Sequence, residues 1–129
     1  MNHLVARILL ALVFLVAGVR KLMAPAASAG YLAKLGFPAP EVMVWVAIAF
    51  ELGGAILLIL GWKTRWGALA LALFTLIATF AAHRFWEFDA AQYANQMNHF
   101  LKNLAIVGGM VILAATGPGP FSVDGRRRG

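Results

Sequence analysis

Residues 65–83 read RWGALALALFTLIATFAAH, about twenty residues with no charge between the two ends of the run. Crossing ~30 Å of hydrocarbon takes about 20 helical residues. Three further segments reach that length: about Leu4 to Met23, Val42 to Leu60 and Met97 to Thr116. Four such runs in 129 residues leave little chain for anything else. They are continuously apolar, whereas lipid and lumen faces alternate along the shorter strands of a membrane barrel. The expected fold is all-α: an integral membrane four-helix bundle, one domain over 1–129, with a tail over 117–129.

Charge and cysteine usage narrow the function classes. The chain holds no cysteine, which excludes disulfides, thiolate metal sites and cysteine-ligated iron–sulfur clusters. Any redox role then rests on a bound cofactor, a quinone or a partner chain. The formal charge of +6 comes from eleven Lys and Arg scattered around apolar blocks, not gathered on one polar face. The expected partner is therefore the lipid bilayer and not nucleic acid. Arg7, the apolar run after it and Ala24 to Ala29 imitate a signal peptide. Arg20 and Lys21 fall between that run and the small residues, where positive charge is unfavourable, so the segment reads as a helix.

The breaks between runs carry turn chemistry: GFPAP at 36–40 introduces the second helix, and GWKT at 61–64 links the second to the third. A link that short makes an antiparallel hairpin. Four spans put both termini on one side, with Arg7, Lys63, Arg65 and the terminal Arg126, Arg127 and Arg128. Arg20, Lys21, Lys34, Arg84 and Lys102 fall on the other side, mostly at helix ends beside Glu41, Glu87 and Asp89. The bias favours cytoplasmic termini. Arg7 and Arg65 each open a helix, and Gly53-Gly54 and Gly108-Gly109 each occupy the middle of the next. That repeat suggests two tandem helical hairpins, although small residues also recur wherever membrane helices pack closely.

Polar residues inside these spans are the functional candidates, since intramembrane ionisable groups are costly. Glu51 lies ~15 Å from the Gly61 end at 1.5 Å per residue, near the midplane. Left unpaired there, it would cost about 2.5–3.5 kcal/mol. Lys21 on the first helix and Lys102 on the fourth are its expected partners. His99, Lys102 and Asn103 share one helical face, and His83 ends the third helix in the same half. Glu51 and His99 are candidates for proton transfer, and Lys21, Glu51, His83, Trp86, His99, Lys102 and Asn103 for binding. The same groups can instead form an interhelical lock. His83 and His99 could ligate haem, but no histidine pair at i, i+3 or i+4 and no second inner ligand supports a metal, so none is expected. They can instead be interfacial histidines hydrogen-bonded to loop carbonyls, or, with the lysines, donate to quinone carbonyls or to a small anion. The polar stretch 87–97 reads as a loop capping the bundle, and Asp124 as a latch to Arg7 or Arg65, each at a helix start.

Together, RILLALVFLVAGVRKL (7–22), LGFPAP (35–40), ELGGAILLILGWKTR (51–65), ATFAAHRFW (78–86), QMNHFLKNLAIVGG (96–109) and FSVD (121–124) resemble the DoxX family of bacterial membrane proteins, its YphA-like members included. The fragments run in order over nearly the whole chain. The resemblance implies a four-helix protein of the bacterial inner membrane. It implies, more distantly, a membrane subunit or accessory of a quinone-linked redox or oxidative-stress system, working with a redox partner protein. The family's polar positions fall on Lys21, Glu51, Arg65, His83, His99, Lys102, Asn103 and Asp124. Two other functions stay open: a small-anion or polar-molecule carrier, for which four helices would need a homo-oligomer, and a non-catalytic scaffold.

Overall fold

A computed structural model describes residues 1–126; Arg127 and Arg128, assigned above to the basic side, lie outside the described residues. The elements are α1 (Asn2–Met23), α2 (Pro25–Lys34), α3 (Pro40–Leu60), α4 (Thr64–Ala82), a 3₁₀ turn (Phe85–Glu87), α5 (Ala90–Thr116) and the single turn α6 (Val123–Arg126). Among the described residues, α1, α3, α4 followed by its 3₁₀ turn, and α5 are long and apolar enough to cross a membrane. The all-helical, four-span expectation is met. Both described ends of the chain, with the α3–α4 turn, lie at one end of the bundle; the other is called here the far end.

Two elements depart from the sequence reading. Residues 25–34, outside the four expected spans, form α2, started by Pro25 at its first turn, where the missing N–H costs nothing. Its Ala29 packs with Val44 and Ile48 of α3, a small core supported by Leu32 and Leu52. The stretch 87–97 is not a loop lid. From Ala90 onward it is the first turns of α5, because the Asp89 carboxylate accepts a bond from the Gln92 N–H at 3.1 Å. Asp followed three residues later by Gln is the spacing of a capping box.

α1 packs along α3, α3 on α4, and α4 on α5, while α1 closes onto α5 over a smaller patch. The shared core is Ala11 and Phe14 of α1, Ala55 and Leu58 of α3, Ala68, Leu71 and Ala72 of α4, and Met110 and Leu113 of α5. All of these lie in the half of the bundle nearer the termini.

That end is closed by a polar latch. α3 stops at Gly61, whose φ of +68° suits glycine. The Trp62 and Gly61 N–H groups turn back to the Leu57 and Leu58 carbonyls, a Schellman ending. Arg7, fully buried, donates from Nη1 to the carbonyls of Leu58 at 2.9 Å and Ile59 at 3.1 Å, and from Nη2 to that of Phe121. Its charge therefore sits at the negative end of the α3 dipole. A Cβ at Gly61 would collide with Ser122 and with this guanidinium.

Asp124 answers the opposite need. Its carboxylate accepts from the Lys63 N–H at 3.0 Å and the Thr64 N–H at 2.9 Å, capping α4 from another part of the chain. Its own N–H donates to the Gly61 carbonyl at 2.9 Å. The latch thus works through backbone groups at helix ends. Arg65, expected as an alternative partner of Asp124, is exposed and lies over Gly117.

Asp124→Ala should cost about 1 kcal/mol, the usual worth of an N-cap. Arg7→Met strands three carbonyls and should cost more, about 3 kcal/mol. Equilibrium unfolding in mixed micelles checks both; an Arg7→Met variant as stable as the parent would remove Arg7 from this role.

Candidate functional site

The inward-facing residues of each helix follow a seven-residue rhythm, the spacing by which near-antiparallel helices keep one seam in contact. On α1 they are Arg7, Ala11, Phe14 and Gly18, with Lys21 next in the series. On α3 the series includes Glu51, Ala55 and Leu58. On α4 it includes Ala68, Leu71, Thr75 and Thr79. On α5, steps of three and four run Gln96, His99, Asn103, Ile106, Met110 and Leu113. The series on α1, α4 and α5 turn polar toward the far end, whereas on α3 Glu51 is a single acid set between Ala55 and Leu58 on one side and the buried apolar Val44, Ala47 and Ile48 on the other.

Packing contacts set these polar residues near one level. The ring of Phe50 stacks on Phe74 at 5.8 Å, which sets Glu51 beside Thr75 in height. The rings of Phe80 and Phe100 meet edge to face at 5.5 Å, which sets Asn103 between the heights of Thr75 and Thr79. Lys21, Glu51, Thr75, Thr79, Asn103 and His99 therefore line the interior of the far half, above the apolar core.

Glu51 is 2% exposed, and its Oε1 lies 2.7 Å from Lys21 Nζ, a lysine 28% exposed. Helix direction explains how they meet. Side chains lean toward the N-terminus of their own helix. Lys21 on α1 therefore leans inward from the far end, and Glu51 on the antiparallel α3 leans outward to it. Gly18, one turn before Lys21, allows the close approach, since a Cβ there would fall 2.7 Å from Leu52 and 3.3 Å from the Glu51 Cβ.

Thr75 and Thr79 are buried, and each hydroxyl donates back along α4, to the Leu71 carbonyl at 2.7 Å and the Thr75 carbonyl at 2.6 Å. Their oxygens keep acceptor capacity toward the interior. His83 Nδ1 is 2.7 Å from Gln96 Oε1, so Gln96 as placed accepts from the imidazole. The ring of His83 stacks on that of His99 at 5.0 Å.

The expected convergence is thereby changed in detail. Glu51 pairs with Lys21; Lys102, the other expected partner, is exposed on the outside of α5. Trp86 is half exposed and belongs to an aromatic cluster with Phe85 and Phe100 at the far end, away from the Lys21–Glu51 pair. Among the described residues no hydrogen bond or ion pair joins the Lys21–Glu51 pair to the histidines, and no three His, Cys, Asp or Glu side chains group as metal ligands. Sequence reasoning missed Thr75, Thr79 and Gln96. Their signals were a four-residue spacing of hydroxyls in an apolar run, and an amide three residues before His99.

The family model described as DoxX matches residues 3–84. Inner membrane protein YphA of Escherichia coli K12 is 36% identical over 123 residues, covering 95% of this chain and 88% of that protein. Inner membrane protein YqjF of the same organism is 39% identical over 121 residues, covering 94% and 88%. A Surfeit locus protein 4 homolog of Schizosaccharomyces pombe is 32% identical over 101 residues, covering 77% of this chain and 33% of its own length. No solved structure matches the chain.

Removing one partner of a buried pair leaves an uncompensated charge, whereas replacing both by apolar groups does not. Lys21→Met and Glu51→Leu should each destabilise by about 2–3 kcal/mol, and the double variant should lose less than the sum by at least about 1 kcal/mol. A double-mutant cycle of unfolding free energies reads this coupling; strict additivity would mean that the pair contributes nothing.

Proposed function

The chain belongs to the DoxX family, and on that footing we propose that it is a membrane subunit of a quinone-linked redox system of the bacterial inner membrane, with its termini in the cytoplasm. The observation that carries the reading is that all four spans bring a polar side chain to the level of the buried Glu51, Lys21 from α1, Thr75 and Thr79 from α4, and Asn103 and His99 from α5.

The residues suit a quinone head group. A quinone presents two carbonyl acceptors, and this interior offers the Lys21 ammonium, the Asn103 amide and the His99 ring as donors. Bound there, a quinone would supply the two-electron, two-proton acceptor. The chain's own residues bind, orient and move protons. Lys21 donates to one oxygen and stabilises charge developing on it. Glu51, held by that same ammonium, is the proton carrier of the deep side, and His99 that of the far side. Thr75 and Thr79 supply acceptors that suit the hydroxyls of the reduced form. Electrons come from a redox partner protein, because the chain has no thiol to carry them.

A second reading has its own support. At 2.7 Å the Lys21–Glu51 pair is complete without a ligand, as in an interhelical lock of a scaffold protein.

The protein in lipid nanodiscs should bind a short-tailed quinone, and Glu51→Gln and His99→Ala should each weaken binding at least tenfold, about 1.4 kcal/mol, while remaining folded. Loss of stability in both variants with quinone affinity unchanged would favour the scaffold. A wild-type protein that binds no quinone would end the redox reading.

A further inference from the structure

Three of the four seams between neighbouring spans are closed in the far half. α1 and α3 meet there through Gly18 against Leu52 and through Lys21 and Glu51. α3 and α4 meet through Phe50 and Phe74, and α4 and α5 through Phe80 and Phe100 and through the stacked histidines. The α1–α5 seam differs. Its marked contact is Leu10 packed on Gly109, where an added Cβ would fall 3.1 Å from Leu10, in the half nearer the termini.

Beyond that contact α5 loses its cover. Its buried residues are Met110 and Leu113. Ile106, Asn103 and His99 continue the same inward series yet are only half buried. On the facing side of the seam Ala17, two turns beyond Leu10, is also half buried, and Lys21 keeps 28% of its side chain exposed. Along this seam the polar side chains of the far half are therefore only partly covered, between two apolar helices, at a depth where the surroundings are lipid tails.

We propose that the ligand of this interior is a membrane-dissolved amphiphile, one polar head group on one long hydrocarbon tail, whose tail lies in the α1–α5 seam past Ala17 and Ile106. The inference rests on the head-group reading above and specifies the ligand's other half. A head group buried among Lys21, Asn103 and His99 satisfies their hydrogen bonds. A tail in the seam covers the apolar sides of α1 and α5 without leaving the hydrocarbon. A small water-soluble molecule would leave that seam uncovered.

Ala17 is not part of the polar lining, so Ala17→Trp fills the seam while keeping the donors. The probes are two quinones with the same head group, one carrying a single isoprene unit and one a long polyisoprenoid tail, each titrated into nanodisc-embedded protein. The expected result is that Ala17→Trp weakens the long-tailed probe at least tenfold and changes the short one less than twofold. Ala17→Leu, a smaller filling, should shift the long-tailed probe in the same direction by a smaller factor, and it decides the matter if the Trp variant fails to fold. Equal effects on both probes, or no effect on either, would overturn the seam while leaving the head-group site standing. A wild-type protein that binds neither probe would overturn both.

Discussion

Hydrocarbon offers no water to a buried charge, so each must be met by an opposite charge or by backbone dipoles. Among the described residues, Arg7 and Glu51 are the two charged groups that the bundle hides almost completely, at 0% and 2% exposure. Both find partners across the α1–α3 seam, Arg7 through its Nη1 in the carbonyls that end α3 and Glu51 in the Lys21 ammonium. Arg7 and Lys21 lie two heptads apart on one face of α1, so the two contacts fix the register of α1 on α3 at both ends. The apolar packing of Ala11 and Phe14 against Ala55 and Leu58 fills the interval. A slip of one turn would cost both polar contacts at once, which apolar packing between membrane helices could not prevent alone.

From that register the rest follows. α4 is turned back on α3 by the Gly61 hairpin and capped by Asp124, so the chain's last described segment holds down its middle turn. α5 packs on α4 along its length but meets α1 only over a short patch. The half nearer the termini therefore holds the main apolar core, and the far half combines the Lys21–Glu51 pair, Thr75 and Thr79 with the smaller Ala29, Val44 and Ile48 core.

Much of this was legible in the sequence, for identifiable reasons. Long apolar runs have one physical solution in a bilayer, so the four spans and their hairpin could be read directly. Glu51 stood out because no local cation neutralises it, and Lys21 was one of two partners within reach. Choosing between Lys21 and Lys102 needed the direction in which each stem leans and the close approach at Gly18, neither of which a span diagram contains. α2 was missed because ten Ala-rich residues make no hydropathy signal. The early start of α5 was missed because polarity at 90–97 was read as loop, although Asp89 and Gln92 carried a capping signature. Asp124 lies at the Arg7 end of the bundle, but its contacts there include backbone N–H groups at a helix start, which no charge pattern displays. Thr75 and Thr79 were passed over because threonines that bond back to their own helix leave hydropathy almost unchanged.

The central claim is that the polar far half is an accessible compartment and not a dry lock. Because the chain has no native cysteine, thiols introduced one at a time report accessibility without background. The decisive measurement is the rate at which a small hydrophilic methanethiosulfonate modifies Thr79→Cys and Asn103→Cys in membranes, compared with Leu71→Cys and Met110→Cys in the apolar core. The account predicts reaction at the first two positions at least tenfold faster than at the last two. Equal, negligible rates at all four would show that the polar residues serve packing alone, and would contradict it.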